Sequence, residues 1–126
     1  MQTRLIVFYL TLLCTAFTNC QYEKFAHGKR SYIAYCGDCH MEDGSGVAEL
    51  YPSLNKQSIV NRHQEIPCII RKGIYKEASL IKMPAHPKMT NVDITNIVNY
   101  ITYDINKDKK NLLLLKDVDR LLEQCP

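Results

Sequence analysis

The chain has 126 residues, enough for one domain, with 16 Lys and Arg against 13 Asp and Glu and a net charge of +3. No basic run is interleaved with aromatics, so nucleic-acid binding has no support. The densest basic cluster (Lys107, Lys109, Lys110) is flanked by Asp104 and Asp108 and reads as a solvated loop. No Ser/His/Asp set, glycine-rich phosphate loop or paired carboxylate site is evident.

The first elements are those of an export signal. Arg4 supplies a positive start, and Leu5 to Thr18 is an almost uninterrupted apolar stretch of 14 residues. That length is short for a membrane span and right for the core of a signal peptide. An uncleaved anchor is the alternative. The signal has two candidate ends. Cys14-Thr15-Ala16 offers small residues at alternate positions for ordinary cleavage. Phe17-Thr18-Asn19-Cys20 resembles a lipoprotein site with Cys20 as the lipidated residue, although Phe17 and Asn19 depart from the strict pattern. Lipidation is the favoured reading, in part because it avoids a spare thiol at Cys20 in an oxidising compartment; the alternative is that Cys20 belongs to the signal and is lost with it. The division is then 1–19 signal and 20–126 functional domain. Loss of 1–19 removes Arg4 alone and lowers the net charge to +2.

Glu23 to Tyr35 is expected as the first helix, with Phe25, Tyr32, Ile33, Ala34 and Tyr35 giving a mostly one-sided apolar stripe. Gly28 interrupts it at a cost of about 1 kcal/mol relative to alanine, and a glycine tolerated there often marks close approach of another backbone. Cys36-Gly37-Asp38-Cys39-His40 follows. Residues 41–46 form a turn-rich loop, and Tyr51-Pro52-Ser53-Leu54 is irregular. Lys56 to Arg62 and Pro67 to Lys72 are expected as short helices, the second with proline in its first turn and Gly73 as its stop. Tyr75 to Lys82 is a loop or weakly extended. Thr90 is a good N-cap, with Asp93 at the third helical position and Met89 and Ile94 placed as a hydrophobic staple. That helix buries Ile94, Ile97, Val98 and Ile101, with Tyr100 on its flank. After a polar break at Asn106 to Asn111, a final helix is expected over Leu112 to Gln124. It carries Leu113, Leu114, Leu121 and Leu122 and delivers Cys125.

The pentapeptide at 36–40 carries the chemistry. Two thiols three positions apart, with an imidazole directly after the second, are the attachment signature of haem c, and the histidine is the proximal iron ligand. Zinc binding and dithiol exchange also use C-x-x-C pairs. Zinc would want a second Cys/His pair, which Cys68 and Cys125 do not make, and a thioredoxin-like site would want βαβ patterning, which is scarce here. Cys68 and Cys125 form an even remainder, which in an exported protein suggests one disulfide; two separate free thiols are the alternative.

What the haem does depends on the sixth iron position. Met83, followed at once by Pro84, is the best candidate to fill it, and a thioether there raises the reduction potential. Pro84 restricts the backbone of Met83. Core packing is the ordinary role of a methionine. His86 is the competing ligand and otherwise a surface residue. Met41 is too close to His40, Met89 is the staple, and His27 and His63 read as helix-surface residues. An open sixth position would instead suit an enzyme or sensor that binds peroxide or a diatomic gas.

With these residues in hand, the chain resembles class I cytochrome c of the small bacterial monohaem kind. The matching pieces are the pentapeptide, Asp43-Gly44-Ser45-Gly46, Tyr51-Pro52-Ser53-Leu54, Met83-Pro84 and Ile94 to Ile101, in the family's order over residues 28–101. The resemblance implies an all-α fold with three core helices around one covalent haem c, here with a C-terminal helical extension. It implies that the first helix crosses the last core helix at Gly28 and Tyr32, near Ile97 and Tyr100. It also implies that the carbonyl of Pro52 accepts the proton on the far nitrogen of His40. The chain further resembles a subgroup with an extra C-terminal segment in which cysteines like Cys68 and Cys125 pair. The expected function is one-electron transfer with His40 and Met83 as ligands, by a monomer in the periplasm or cell envelope, tethered through Cys20. Its partners would be redox donor and acceptor proteins, without nucleic acid, and it could serve as a subunit of a larger oxidoreductase.

Overall fold

The computed structural model describes residues 23–48, 50–75 and 82–126. The expected signal at 1–19, Cys14, the lipidation candidate Cys20, and positions 76–81 of the loop expected before Met83 lie outside the described residues. Within them the chain is helical: α1 Ala26–Tyr35, α2 Gly37–His40, α3 Gln57–Asn61, α4 Ile66–Lys72, α5 Asn91–Tyr100 and α6 Leu115–Glu123. The only β pairing among the described residues is two isolated bridges, Val47 with Tyr51 and Ile74 with Met83. The architecture is all-α, as the resemblance implies, and no helix among the described residues is long and apolar enough to cross a membrane.

α1 starts at Ala26 rather than Glu23. Phe25 keeps a non-helical backbone because its ring packs edge-on against Tyr103, 5.3 Å between centroids, and the Lys24 ammonium sits over the same tyrosine. The buried positions of α1 are Gly28 and Tyr32, one helical turn apart, while Ile33 and Tyr35 are exposed. The expected stripe is therefore narrower than the sequence suggests. At Gly28 the helix lies directly on the Asn96 carbonyl of α5, and a β-carbon would overlap that backbone. One turn later the Tyr32 and Tyr100 rings meet at 5.3 Å. Tyr32 is fully buried and its hydroxyl donates to the Met41 carbonyl at 2.8 Å; burial holds its phenol above the ordinary pKa, so it stays a neutral donor.

α5 begins as the sequence predicts. The Thr90 hydroxyl accepts from the Asp93 amide at 3.1 Å and donates to its carboxylate at 2.6 Å. Ile94, Ile97 and Val98 are fully buried. The helix then continues as one widened π-type turn, Ile101–Ile105, which the sequence reading did not foresee. The Asn106 side-chain amide closes it by donating to the Ile101 carbonyl at 2.9 Å and to the Leu54 carbonyl at 2.8 Å.

The last helix starts at Leu115, not Leu112. Asn99 is the reason. Its buried amide donates to the Leu113 carbonyl at 2.9 Å and accepts from the Leu113 amide at 2.8 Å, so both backbone groups of Leu113 are held in an extended strap. Leu113 is buried there, Val118 is the buried residue of α6, and Leu114 and Leu115 stay exposed. Leu121 and Leu122 pack against the core from its edge.

Cys68 on α4 and Cys125 after α6 are joined in a disulfide that closes a loop of 57 residues. In the chain-entropy account such a loop stabilises by about 4 kcal/mol. Denaturant unfolding with and without reductant should show a loss near that size with α1 and α5 intact; an unchanged midpoint contradicts it. Asp93 also bridges α5 to α1 through His27, 2.8 Å between Nε2 and the carboxylate. The Thr90 hydroxyl first, and His27 second, hold the Asp93 carboxyl below the ordinary carboxylate range. A carboxyl depressed in the folded state adds stability above its unfolded pKa, about 3.9, and that stability is lost as pH falls through the folded value. The stability gap between the parent and Asp93→Asn should therefore narrow as pH drops below 4; a constant gap contradicts this.

Candidate functional site

α1 delivers the pentapeptide. Cys36 leaves the helix with its amide still bonded to the Tyr32 carbonyl, and α2 winds one tight turn in which the Cys39 and His40 amides both return to the Cys36 carbonyl. That turn puts the two cysteines three residues apart on one face with His40 directly after them. Met41 then takes a positive φ of 62°, held by the Tyr32 hydroxyl on its carbonyl, and turns the chain away.

His40 is 8% exposed and its Nδ1 lies 2.9 Å from the Pro52 carbonyl. A carbonyl can only accept, so Nδ1 donates this bond and Nε2 is the ring nitrogen left to face a ligand. The loop that presents Pro52 is tied back to the pentapeptide. The Gly46 amide bonds the His40 carbonyl at 3.0 Å, and the Leu54 amide bonds the Gly44 carbonyl at 2.7 Å.

Met83 comes from the other side. Its amide and carbonyl make the two bonds of an antiparallel bridge to Ile74, at 3.2 and 3.0 Å. Gly73, at φ +73°, lies against the carbonyl of Met83 and the backbone of Pro84 and Ala85, where a side chain would collide. A cavity of about 280 Å³ opens between the two sides. Cys36, Cys39 and His40 line one part of it, Leu50, Tyr51 and Pro52 another, and Ile74, Lys82, Met83, Pro84 and His86 the far wall.

The donor set fits a haem. Two free thiols, one imidazole and one thioether share a mostly apolar cavity. Burial, with a smaller push from Cys39, raises the Cys36 thiol to about 11, so it is protonated at neutral pH. His86 also lines the cavity, half-buried and edge-on to Tyr35 at 5.7 Å, rather than lying on the open surface. Met89 packs against the core beside the α5 cap. His63 is held by the Val60 carbonyl at 2.7 Å. Sequence reasoning missed Leu50 and Ile74, which no motif marks because they come to line the cavity only in the fold.

Comparison with known proteins bears on the family. The family model described as cytochrome c oxidase, cbb3-type, subunit III matches residues 23–101. The cytochrome c subunit of a quinone alcohol dehydrogenase from Gluconacetobacter polyoxogenes is 26% identical over 102 residues, covering 75% of this chain and 22% of that protein. The corresponding subunit from Komagataeibacter europaeus matches to the same extent. The chain thus spans about a fifth of the length of these curated relatives. With the matched region running from the start of the described residues through α5, the chain belongs to the c-type cytochrome family, whose cofactor is haem c and whose work is haem-based electron transfer.

Proposed function

We propose that this protein is a one-electron carrier of the bacterial cell envelope, in which Cys36 and Cys39 hold one covalent haem c and His40 and Met83 are its axial ligands. The observation that supports this most strongly is the single cavity lined by both thiols, His40 and Met83. When bound, the haem supplies an iron that cycles between ferric and ferrous states.

The protein's own residues set the conditions for that cycle. The Pro52 carbonyl fixes the ring of His40 and strengthens its Nε2 as a donor. The Ile74 bridge ties down the backbone of Met83 through two hydrogen bonds, which would limit its movement when the oxidation state changes. Leu50, Tyr51 and Ile74 keep the cavity wall apolar, which disfavours the extra charge of the ferric state and raises the potential. Around its mouth Tyr35, Leu50 and Ile74 stay exposed, a surface suited to brief docking of a redox donor or acceptor. The relatives' description as cytochrome c subunits of a quinone alcohol dehydrogenase supports work beside a larger oxidoreductase. The apolar stretch at 5–18 and Cys20 support export and a lipid tether on a membrane facing the periplasm.

Spectroelectrochemical titration of the purified holoprotein, with intact mass on the same sample, tests the reading. One haem should remain attached after denaturation. The ferric protein should show the long-wavelength sulfur-to-iron charge-transfer band, and Met83→Ala should abolish that band and lower the potential. Haem that washes off, or a variant with the parent's spectrum and potential, contradicts the proposal.

A further inference from the structure

The segment from Ile70 to Ile74 grips the loop after Met83 at several points. Ile74 makes the two bridge bonds to Met83, Gly73 lies against its carbonyl, and the Ile70 carbonyl accepts from the His86 amide at 3.0 Å. The remaining grip is a side chain. One terminal nitrogen of Arg71 donates to the carbonyls of Pro87 and Met89, both at 2.7 Å, and lies 3.5 Å from that of His86. The other donates to the Asn91 side chain at 2.6 Å, and Asn91 in turn donates to Asp119 of α6 at 2.7 Å.

Carbonyls that turn inward toward one guanidinium are an unusual use of an arginine with no carboxylate of its own among these contacts. They bend residues 86–89 into a fixed turn between Pro84 and the Thr90 cap. The Ile74 bridge fixes Met83 on the near side and this turn fixes the chain that leaves it, so the loop has no slack. Charge-assisted bonds of this kind are about twice as strong as neutral ones, and a planar donor fork serves several oxygens where an ammonium serves fewer.

We propose that Arg71 is a positioning residue for the sixth iron ligand: by clamping the 86–89 turn it keeps Met83 bound and holds other ligands off the iron. This rests on Met83 ligation as read above. Without the clamp, the state with the thioether off the iron becomes more populated, and any added ligand that competes for the iron gains apparent affinity in proportion.

The test uses ferric holoprotein of the parent, Arg71→Ala and Arg71→Lys, titrated with imidazole while the sulfur-to-iron band is followed, alongside guanidinium unfolding followed by both that band and far-UV circular dichroism. Arg71→Ala should bind imidazole about tenfold or more tightly than the parent. It should also lose the band at a lower denaturant concentration than the parent, while its helix-loss midpoint moves less. Arg71→Lys should lie between, since lysine keeps the charge and some of the bonds. If Arg71→Ala does not fold around haem, the Arg71→Lys and parent comparison decides the matter on the same two readouts. Equal imidazole affinity, or band and helix midpoints that fall together, overturns the positioning role. Absence of the band in the parent overturns Met83 ligation itself and the inference with it, whereas a normal parent band with unaffected variants overturns the inference alone.

Discussion

Backbone lies on backbone where Gly28 of α1 meets the Asn96 carbonyl of α5, and the geometry of the site follows from that contact. Because no side chain separates the two helices there, their crossing is fixed, and Tyr32 and Tyr100 lock it one turn further on. The crossing settles where α1 ends, and therefore where Cys36, Cys39 and His40 sit relative to the core. The same Tyr32 that packs the crossing also holds Met41 by its hydroxyl, so the packing of the core and the exit from the pentapeptide share one residue. A larger residue at 28 would push α1 away and carry the whole pentapeptide with it.

The opposite side of the cavity is organised by other means. His40 is fixed by a single loop carbonyl, that of Pro52, whereas Met83 is held through its backbone by the segment 70–74. That segment belongs to α4 and its end, and α4 is tied by the disulfide to the chain end after α6. The C-terminal extension thus braces the element that carries the far wall, through Cys68–Cys125 and through Asp119, Asn91 and Arg71. Among the described residues, the cavity lining includes none from this extension.

Much of this was legible in the sequence, and for identifiable reasons. The pentapeptide, the Thr90 cap with Asp93 and the apolar spacing of Ile94, Ile97, Val98 and Ile101 are local signals whose physics is complete within a few residues, and α5 stands where its cap and spacing put it. Gly28 was legible as a close approach, because glycine inside a helix otherwise costs stability. What the sequence hid were side chains that serve distant backbone. Asn99 delays α6 to Leu115 by taking both polar groups of Leu113, and Asn106 closes the π-type turn. Arg71 bonds carbonyls 15 or more residues away. Such pairings leave no periodicity, and propensity alone favours a helix from Leu112. Phe25 shows the same effect at the start of α1, where an aromatic contact with Tyr103 outweighs helix extension.

Electron transfer as proposed requires two residues from opposite walls of one cavity, His40 and Met83, to reach the same iron. X-ray absorption at the iron edge of the purified ferric protein measures this most directly. A single sulfur among the nearest scatterers, the rest being nitrogen, is the predicted result. An iron surrounded by nitrogen alone, or with oxygen from solvent in the sixth place, would contradict it.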